Sequence, residues 1–360
     1  MPDDVSAVVD EQAVESFMDS VMGDYAGANA FFMGAIGDRL GLFADLTVSG
    51  AASPTELAQR TGLDERYLRE WLGGMAAAGY LNYDAGTTRY TMPPEHAPVL
   101  AEEAGPCFLG AAFFDFSTNF GDSFHLLLDA FRSGEGVPQN VHGAEVAHSI
   151  DRFTAPWYEH MLVPVWLPAM PDVLRRLEAG AAVCDVGCGR GRAIVKLAEA
   201  FPRCNFSGFD VYAPTIDGAI ERARAAGVEN RVHFEVRDVA QGLPAEYDLI
   251  TTFDVVHDSV DPKGLLGAIR RALRPDGRYV CLEINCGDRP EDNVGPLGTV
   301  FYGLSLAYCL PVSLAEGGEG LGTLGLPESK LRELALAVGF TGVERAPIDD
   351  PFSALYVLTP

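Results

Sequence analysis

The sequence predicts an α/β protein in which a doubly wound, mostly parallel seven-stranded sheet follows a mainly helical region. Three observations support this fold class. The chain has 360 residues, which is enough for two domains at about 150 residues each. Up to residue 180 the apolar residues recur mainly with helical spacing, and from residue 181 strand-like and helical stretches alternate. Such alternation is typical of a parallel sheet that is covered by helices on both faces.

The second half contains seven strand-like stretches and four helical ones. The predicted strands are 182–185, 205–210, 232–236, 248–253, 278–284, 342–346 and 354–358. The predicted helices are 193–201, 215–226, 262–273 and 328–338. We expect the last strand to run antiparallel to its neighbour.

The N-terminal region begins with an amphipathic pattern. Apolar residues recur every three or four positions at Val14, Phe17, Met18, Val21, Met22 and Tyr25, which predicts one apolar helix face. A second helix is expected over 35–46. An apolar face of this size exceeds what a free monomer usually exposes, so we expect it to be covered in a homodimer.

The following segment has strong signals for helix ends. Ser53 and Glu56 form a capping box with Pro54 at the first helical position, and this helix should stop at Gly62. Asp64 caps a longer helix, and residues 79–92 are typical of a hairpin. The order of helices followed by a hairpin is that of a winged helix.

The net charge excludes several kinds of partner. Acidic residues outnumber basic ones 51 to 26, giving a formal charge of −25, which disfavours nucleic acid and anionic membranes. The seven cysteines contain no CxxC pair, as in proteins of a reducing cytoplasm. The start of the chain is unlike a signal peptide, and we expect no membrane-spanning segment. The expected localisation is therefore cytoplasmic.

A glycine-rich turn is the most informative motif. Asp185 ends a strand, and Gly187, Gly189 and Gly191 follow it at the start of a helix. Glycines let a ligand approach the backbone closely. The free backbone amides at the start of a helix favour the polar end of that ligand. The spacing is tighter than the G-x-G-x-x-G of dinucleotide sites, and the carboxylate of Asp185 suits a cationic amino group.

Two further acids follow the next two strands. Asp210 is placed to accept hydrogen bonds from both hydroxyls of a ribose, and Asp238 is placed to accept one from an adenine amine. An amine, a ribose and an adenine without phosphate describe S-adenosylmethionine.

At these motifs the sequence resembles the class I S-adenosylmethionine-dependent methyltransferases. The resemblance covers about residues 165–360 and also includes the strand 246–250 and the turn 273–278. It implies a Rossmann-like fold with S-adenosylmethionine as the cofactor. Besides the residues above, it implies four cofactor-binding residues: Val239, Phe253, Asp254 and Asp258.

The winged helix extends the resemblance to dimeric small-molecule methyltransferases of plants and actinobacteria, where it serves as a dimerisation module. Residues 51–90 carry four arginines against five acids, so the second helix lacks a basic face for DNA. The resemblance thus implies a homodimer with a small-molecule substrate and no nucleic-acid partner.

His257 is the candidate catalytic residue. It follows the fourth strand at the edge where ligands bind, and His257-Asp258 is similar to the "HDW" motif of plant O-methyltransferases, whose histidine deprotonates a hydroxyl. Ser259 replaces the tryptophan. Two interpretations stay open: a general base, or a polar residue at the rim of the cofactor.

Candidate substrate residues come from two segments. Tyr158 and His160 lie in 151–171, which resembles the segment that closes over the cofactor in this group. Phe301 and Tyr302 lie in the long insertion 285–327, which is typical of a functional lid. The aromatic content favours a lipophilic or aromatic acceptor. Core packing, or a helix at a subunit interface, would explain the same residues.

The sequence predicts no metal site, because no H-E-x-x-H or similar spacing occurs. Cys281, Cys286 and Cys309 fall near the predicted active edge. They could bind a soft substrate, but free cysteine is commonly a small buried apolar residue.

These observations predict three regions: an N-terminal dimerisation domain (1–97), a helical connector that lines the pocket (98–170) and the cofactor-binding domain (171–360). The predicted function is methyl transfer to a small hydrophobic molecule, at oxygen. Two alternatives are a cofactor-binding protein that catalyses another reaction, such as a cyclisation, and a winged-helix regulator.

Overall fold

The computed structural model describes residues 9–108 and 123–360. The chain divides into two compact units, Met1–Thr118 and Asn119–Pro360. The division into three functional regions stays a prediction, and residues 109–122 of the predicted connector lie outside the described part of the chain.

The first unit is helical with one small hairpin. Its helices are α1 (Glu11–Arg39), α2 (Leu42–Ser49), α3 (Pro54–Thr61), α4 (Glu65–Ala77) and α5 (Ala97–Leu100), and its strands are β1 (Asn82–Asp84) and β2 (Arg89–Thr91). Ser53 and Glu56 form the predicted capping box, and Asp64 caps α4. The winged-helix order is therefore confirmed.

The first helix differs from the prediction. It is continuous to Arg39, so the expected second helix at 35–46 is wrong. The break falls at Gly41, whose φ of 68° admits the left-handed turn between α1 and α2.

Helices open the second unit. They are α6 (Phe124–Ser133), α7 (Gly143–Trp157), a π-helix (Tyr158–Trp166) and α8 (Pro171–Ala179). A π-helix is rare and is frequently found at functional sites.

A seven-stranded sheet forms the rest of this unit. Its strands are β3 (Ala182–Val186), β4 (Asn205–Asp210), β5 (Val232–Val236), β6 (Tyr247–Phe253), β7 (Leu273–Ile284), β8 (Gly342–Arg345) and β9 (Ser353–Thr359). Their order is β5-β4-β3-β6-β7-β9-β8. The pairs from β5 to β7 are parallel, and β9 is antiparallel to both β7 and β8. The predicted doubly wound sheet is confirmed.

Helices between the strands complete the unit. They are α9 (Arg192–Ala200), α10 (Ala213–Ala225), α11 (Pro262–Ala272), α12 (Pro296–Leu304), a second π-helix (Ser305–Cys309), α13 (Leu310–Ala315) and α14 (Glu328–Ala337). Alternate strand residues enter different apolar clusters, with Val183 in one and Cys184 in the other. Because β3, β4 and β6 are parallel, their carboxyl ends meet at one edge of the sheet. Open α/β sheets bind ligands at this edge.

One apolar helix bears on the expectation that no segment spans a membrane. Pro296–Ala315 forms 20 continuous helical residues with a mean hydropathy of 1.5, and it is the one helix in the described residues that is long and apolar enough to span a membrane. Only 28% of it is buried. This length and composition alone are weak evidence for a membrane span.

Candidate active site

Asp185 is a buried carboxylate at the end of β3. Its Oδ1 accepts a hydrogen bond of 2.6 Å from Thr251 Oγ1 on the neighbouring strand. Burial, helped by the nearby charge of Asp210, raises the pKa of Asp185 to about 7. The Thr251 hydrogen bond acts in the opposite direction and lowers this pKa. A cationic group at this edge would favour the ionised form of Asp185.

The glycine turn after Asp185 leaves space for a ligand. Gly187 and Gly189 have φ angles of 68° and 51°, where a side chain is strained. A Cβ atom on Gly187 would lie 2.5 Å from Val255 Cγ2, whereas one on Gly189 would meet nothing within 4 Å. Gly187 is therefore needed for close packing, and the open space lies at Gly189.

Asp210 connects β4 to the glycine turn. Its Oδ2 accepts from the Gly189 backbone amide and its Oδ1 from that of Tyr212, both at 2.9 Å. Burial raises the pKa of Asp210, while these backbone hydrogen bonds lower it. A carboxylate held from two sides in this way keeps lone pairs for further donors such as ribose hydroxyls.

The predicted adenine residues follow β5. Asp238 is exposed and accepts hydrogen bonds from the Ala240 amide (3.0 Å) and from Gln241 Nε2 (3.1 Å). It caps a 3₁₀ turn that buries Val239. Asp238 and Val239 thus lie beyond the strand next to Asp210, with a carboxylate accessible to a ligand amine.

Phe253 and Asp254 lie where β6 ends. Phe253 is buried, and Asp254 takes a left-handed conformation with φ of 56°. The buried Asp254 Oδ1 has no hydrogen-bond partner among the described residues. Burial, together with the charge of Glu283, raises the pKa of Asp254 to about 7. This orphaned acceptor fits a ligand that brings a donor.

These residues fit S-adenosylmethionine. They supply a carboxylate for a cation, an open glycine turn, a fixed carboxylate for hydroxyls and a buried acceptor without a partner. All follow the strands that converge at one edge of the sheet.

His257 lies beside this edge and is oriented by Glu283. Its Nδ1 is 2.5 Å from Glu283 Oε2, and Glu283 Oε1 accepts a hydrogen bond of 2.7 Å from the Val256 amide. Both side chains are almost fully buried. Glu283 therefore fixes the imidazole ring with Nδ1 as its donor, which leaves Nε2 to accept a proton.

The Nε2 side of His257 faces two further groups. Asp258 Oδ1 lies 3.3 Å away and Cys309 Sγ 3.6 Å away. Burial by itself lowers the pKa of His257, but Asp258 and Glu283 raise it well above the usual range. The imidazole is thus a stronger base than an ordinary histidine, and it must lose its proton before it can act.

The predicted substrate residues divide between core and surface. Tyr158 is buried against Phe253, with ring centroids 5.5 Å apart, and Phe301 is buried against Phe352 at 6.2 Å. His160 is half-buried in the first π-helix. Tyr302 is 43% exposed, so it lies at the surface of the insertion.

An ion network around the buried Asp151 supports the segment of the glycine turn. Asp151 on α7 accepts from Arg192 (3.0 and 2.9 Å) and from Arg222 (3.0 and 2.7 Å). Arg222 also donates to the backbone carbonyl of Arg190, within the turn segment, at 2.5 Å. These two arginines lower the pKa of Asp151 against the effect of its burial, which raises it.

Comparison with known proteins agrees with this geometry. Residues 177–297 match the family described as methyltransferase domain. The chain carries a methyltransferase domain. Residues 28–102 match the Rv2258c-like winged HTH domain, so the predicted combination of these two domains is confirmed.

Solved structures share the fold over nearly the whole chain. The mitomycin 7-O-methyltransferase MmcR has a TM-score of 0.72 at 20% identity, covering 98% of this chain and 100% of that one. Human N-acetylserotonin methyltransferase in complex with SAM has a TM-score of 0.70 at 18% identity, with 99% of each chain covered. At these identities the likeness shows the class I methyltransferase fold.

The curated relatives differ in the share of their length that this chain covers. The O-methyltransferase SfmM3 of Streptomyces lavendulae is 25% identical over 70% of this chain and 77% of its own. For three other relatives, the match to this chain covers only 23%, 5% and 38% of the relative's own length.

The second unit also contains functional candidates that the sequence did not single out. Glu283, Asp151 and the contact between Cys309 and His257 all depend on elements that are distant in sequence. One signal existed for Glu283, because an acidic residue inside an apolar strand is unusual unless it has a partner.

Proposed function

We propose that this protein transfers a methyl group from S-adenosylmethionine to an oxygen atom of a small hydrophobic or aromatic molecule. The observation that carries the proposal is the buried His257–Glu283 pair beside the Asp185 and Asp210 edge. S-adenosylmethionine, when bound, supplies an electrophilic methyl group on a cationic sulfonium.

Each side chain has a role in holding that cofactor. Asp185 would face the amino group, Asp210 the ribose and Asp238 the adenine, with Val239 and Phe253 as apolar walls. Asp254 and Asp258 would complete the shell near His257. Binding the acceptor in line with the methyl group would provide much of the catalysis.

His257 would remove the proton of the acceptor hydroxyl. Glu283 holds Nδ1 as a donor, so the hydroxyl proton would move to Nε2, while the carboxylate stabilises the imidazolium that forms. A rim role for His257 remains the competing interpretation, and it predicts an effect on cofactor binding instead.

Aromatic side chains favour an apolar acceptor. Phe352 contacts both Phe301 and Trp157, and Tyr158 contacts Phe253. Together with His160 and the surface-exposed Tyr302, the segments 151–171 and 285–327 would enclose the acceptor. Closed aromatic walls exclude water and select lipophilic molecules.

The helix α1 supports a homodimer. Its large apolar residues from Val14 to Tyr25 are exposed, and in the described part of α1 burial begins only at Ala30. A second copy of the chain would cover this face by two-fold symmetry, consistent with the dimerisation role that the winged-helix resemblance implies.

The winged helix offers little unpaired positive charge for binding DNA. Its four arginines between 51 and 90 each pair with an acid: Arg60 with Asp45, Arg66 with Glu70, Arg69 with Glu65 and Arg89 with Glu56. We infer a cytoplasmic enzyme that binds neither nucleic acid nor membrane. A gel-shift assay at low salt that detected DNA binding would favour the regulator instead.

The proposed activity is tested with methyl-labelled S-adenosylmethionine. The protein is incubated with cell-extract metabolites and with a panel of phenols, and both products are measured by mass spectrometry. We expect S-adenosylhomocysteine in equal amount to an O-methylated product. A product without the label, formed while the cofactor is unchanged, would favour the cyclase-like alternative.

A further inference from the structure

We propose that His257, Asp258 and Cys309 form a binding site for Zn²⁺. One possible ligand atom from each residue lies within 4.8 Å of the other two. Cys309 is brought to His257 by the second π-helix, across 52 positions of sequence, which is why ligand spacing alone predicted no metal site.

The two separations measured from His257 Nε2 match a tetrahedral ion, and the third, between Cys309 Sγ and a carboxylate oxygen of Asp258, is within 4.8 Å. With Zn–S of about 2.3 Å, Zn–N of about 2.05 Å and Zn–O of about 2.0 Å, tetrahedral angles place N and S about 3.6 Å apart and N and O about 3.3 Å apart. The observed separations from His257 Nε2 are 3.6 Å to Cys309 Sγ and 3.3 Å to Asp258 Oδ1.

The surroundings also suit a metal. Asp258 Oδ1 has no hydrogen bond among the described residues but lies 3.3 Å from His257 Nε2. An ion between these two atoms would replace a contact that is favourable only when the imidazole is protonated at Nε2. Glu283 holds His257 Nδ1, the carboxylate–histidine arrangement that orients ligands in zinc sites. Thr323 Oγ1 donates to Cys309 Sγ at 3.0 Å, which would stabilise a thiolate.

The ligand set selects the class of ion. Thiolate and imidazole favour Zn²⁺ or similar transition metals, whereas Mg²⁺ and Ca²⁺ prefer oxygen. On binding, the Cys309 thiol releases its proton to solvent, as does His257 if it is protonated, and the ion takes the lone pair of Nε2. A metal here would therefore occupy the atom that the proposed base uses, and the metal-loaded chain would not accept a proton at His257.

The test uses metal binding alone, so its result is independent of methyl transfer. The full chain, freed of metal by chelator, is titrated with Zn²⁺ against a fluorescent competitor and separately with Co²⁺. We expect one Zn²⁺ per chain and a cobalt–thiolate charge-transfer band. Cys309→Ser should remove the band and weaken Zn²⁺ binding by more than about 100-fold, and Glu283→Gln should weaken it by about 10–100-fold.

Cys286→Ser is the matched control, because this half-buried cysteine lies outside the cluster and its loss should leave both signals intact. Should Cys309→Ser not fold, Asp258→Asn replaces it, since Asp258 is partly exposed. Equal Zn²⁺ affinity in wild type and in the folded variant, or no thiolate band in wild type, would overturn the proposal.

Discussion

We expect Asp185 to make the affinity for S-adenosylmethionine depend on pH. Burial raises the pKa of this carboxyl to about 7, and the ammonium group of S-adenosylmethionine would lower it again in the complex. The ionised form binds better, so affinity should fall as the pH drops below about 7, by up to about tenfold per pH unit. Calorimetric titrations at several pH values measure this.

The matched variants separate this effect from general acid sensitivity. Asp185→Asn should bind more weakly at neutral pH and lose most of the pH dependence. Asp217→Asn changes an exposed acid on α10 and should keep the wild-type profile. A pH dependence that survives in Asp185→Asn would assign it to another group, such as Asp210 or Asp254.

Substitution of His257 or Glu283 should lower the turnover number kcat. We expect His257→Ala to lower kcat by about 10²–10⁴-fold with nearly unchanged cofactor affinity, because it removes the base. Glu283→Gln should also lower kcat, since an amide stabilises the imidazolium less well. Steady-state kinetics with an identified acceptor, beside calorimetry, distinguish the two quantities.

His233 provides the control, because it is an exposed histidine on β5. His233→Ala should keep wild-type kcat. Near-native turnover in His257→Ala, or a loss confined to cofactor affinity, would instead support the rim role of His257.

Single residues at strand ends could be predicted from the sequence, whereas their partners could not. Asp185, Asp210 and His257 follow apolar stretches whose carboxyl ends meet at one edge. Glu283 reaches His257 because β7 lies beside β6, and Cys309 does so because a π-helix turns it inward. These contacts depend on tertiary packing, which periodicity does not encode.

At the level of elements, the Asp151 network joins α7 to α9 and α10. Asp151→Ala removes the buried carboxylate that the half-buried Arg192 and Arg222 share, while Arg192 keeps Glu159 and Arg222 keeps the Arg190 carbonyl. We expect this loss of charged hydrogen bonds to destabilise the protein by about 1.5–3 kcal/mol. Urea unfolding measures this. Asp129→Ala, which removes an exposed pair with Arg132, should change stability by less than about 0.5 kcal/mol. Similar effects of both variants would contradict a structural role for the network.

The same network predicts a pH response. The arginines lower the pKa of Asp151 below its unfolded value, so its stabilising contribution is present above the unfolded pKa and is lost as pH falls through the folded one. Asp151→Ala should therefore lose less stability than wild type on acidification below about pH 4.

Most helices and strands of the sheet region could be predicted from the sequence within a few residues, whereas the extent of α1 could not. The apolar stretches of β3, β4 and β5 are bounded by polar or glycine residues, and their observed bounds agree within one residue. In α1 the helix continues through Gly34 and Gly37, which are buried. Gly37 leaves room for Trp71, a packing reason that local propensity does not contain.

For the whole molecule, the exposed face of α1 predicts a dimer. Phe17 and Met22 are 71% and 65% exposed, so replacing both by Asp should leave the folded chain intact and separate the subunits. Light scattering at about 10 µM should give twice the 38.6 kDa chain mass for wild type and one chain mass for the variant.

Ser20→Asp on the same helix is the control for charge, since Ser20 lies off the apolar stripe, and it should remain dimeric. A wild-type protein that is monomeric under these conditions would contradict the dimer and leave the α1 face to another partner.

Calorimetry with Asp210→Ala tests whether S-adenosylmethionine binds at the Asp185–Asp210 edge of the sheet. We predict one cofactor site per chain in wild type and a loss of about 1.5–3 kcal/mol in the variant, because charge-assisted hydrogen bonds to the ribose are removed. Asp217→Ala should bind as wild type. Unchanged affinity in Asp210→Ala, or no binding by the wild-type chain, would contradict a cofactor site at this edge.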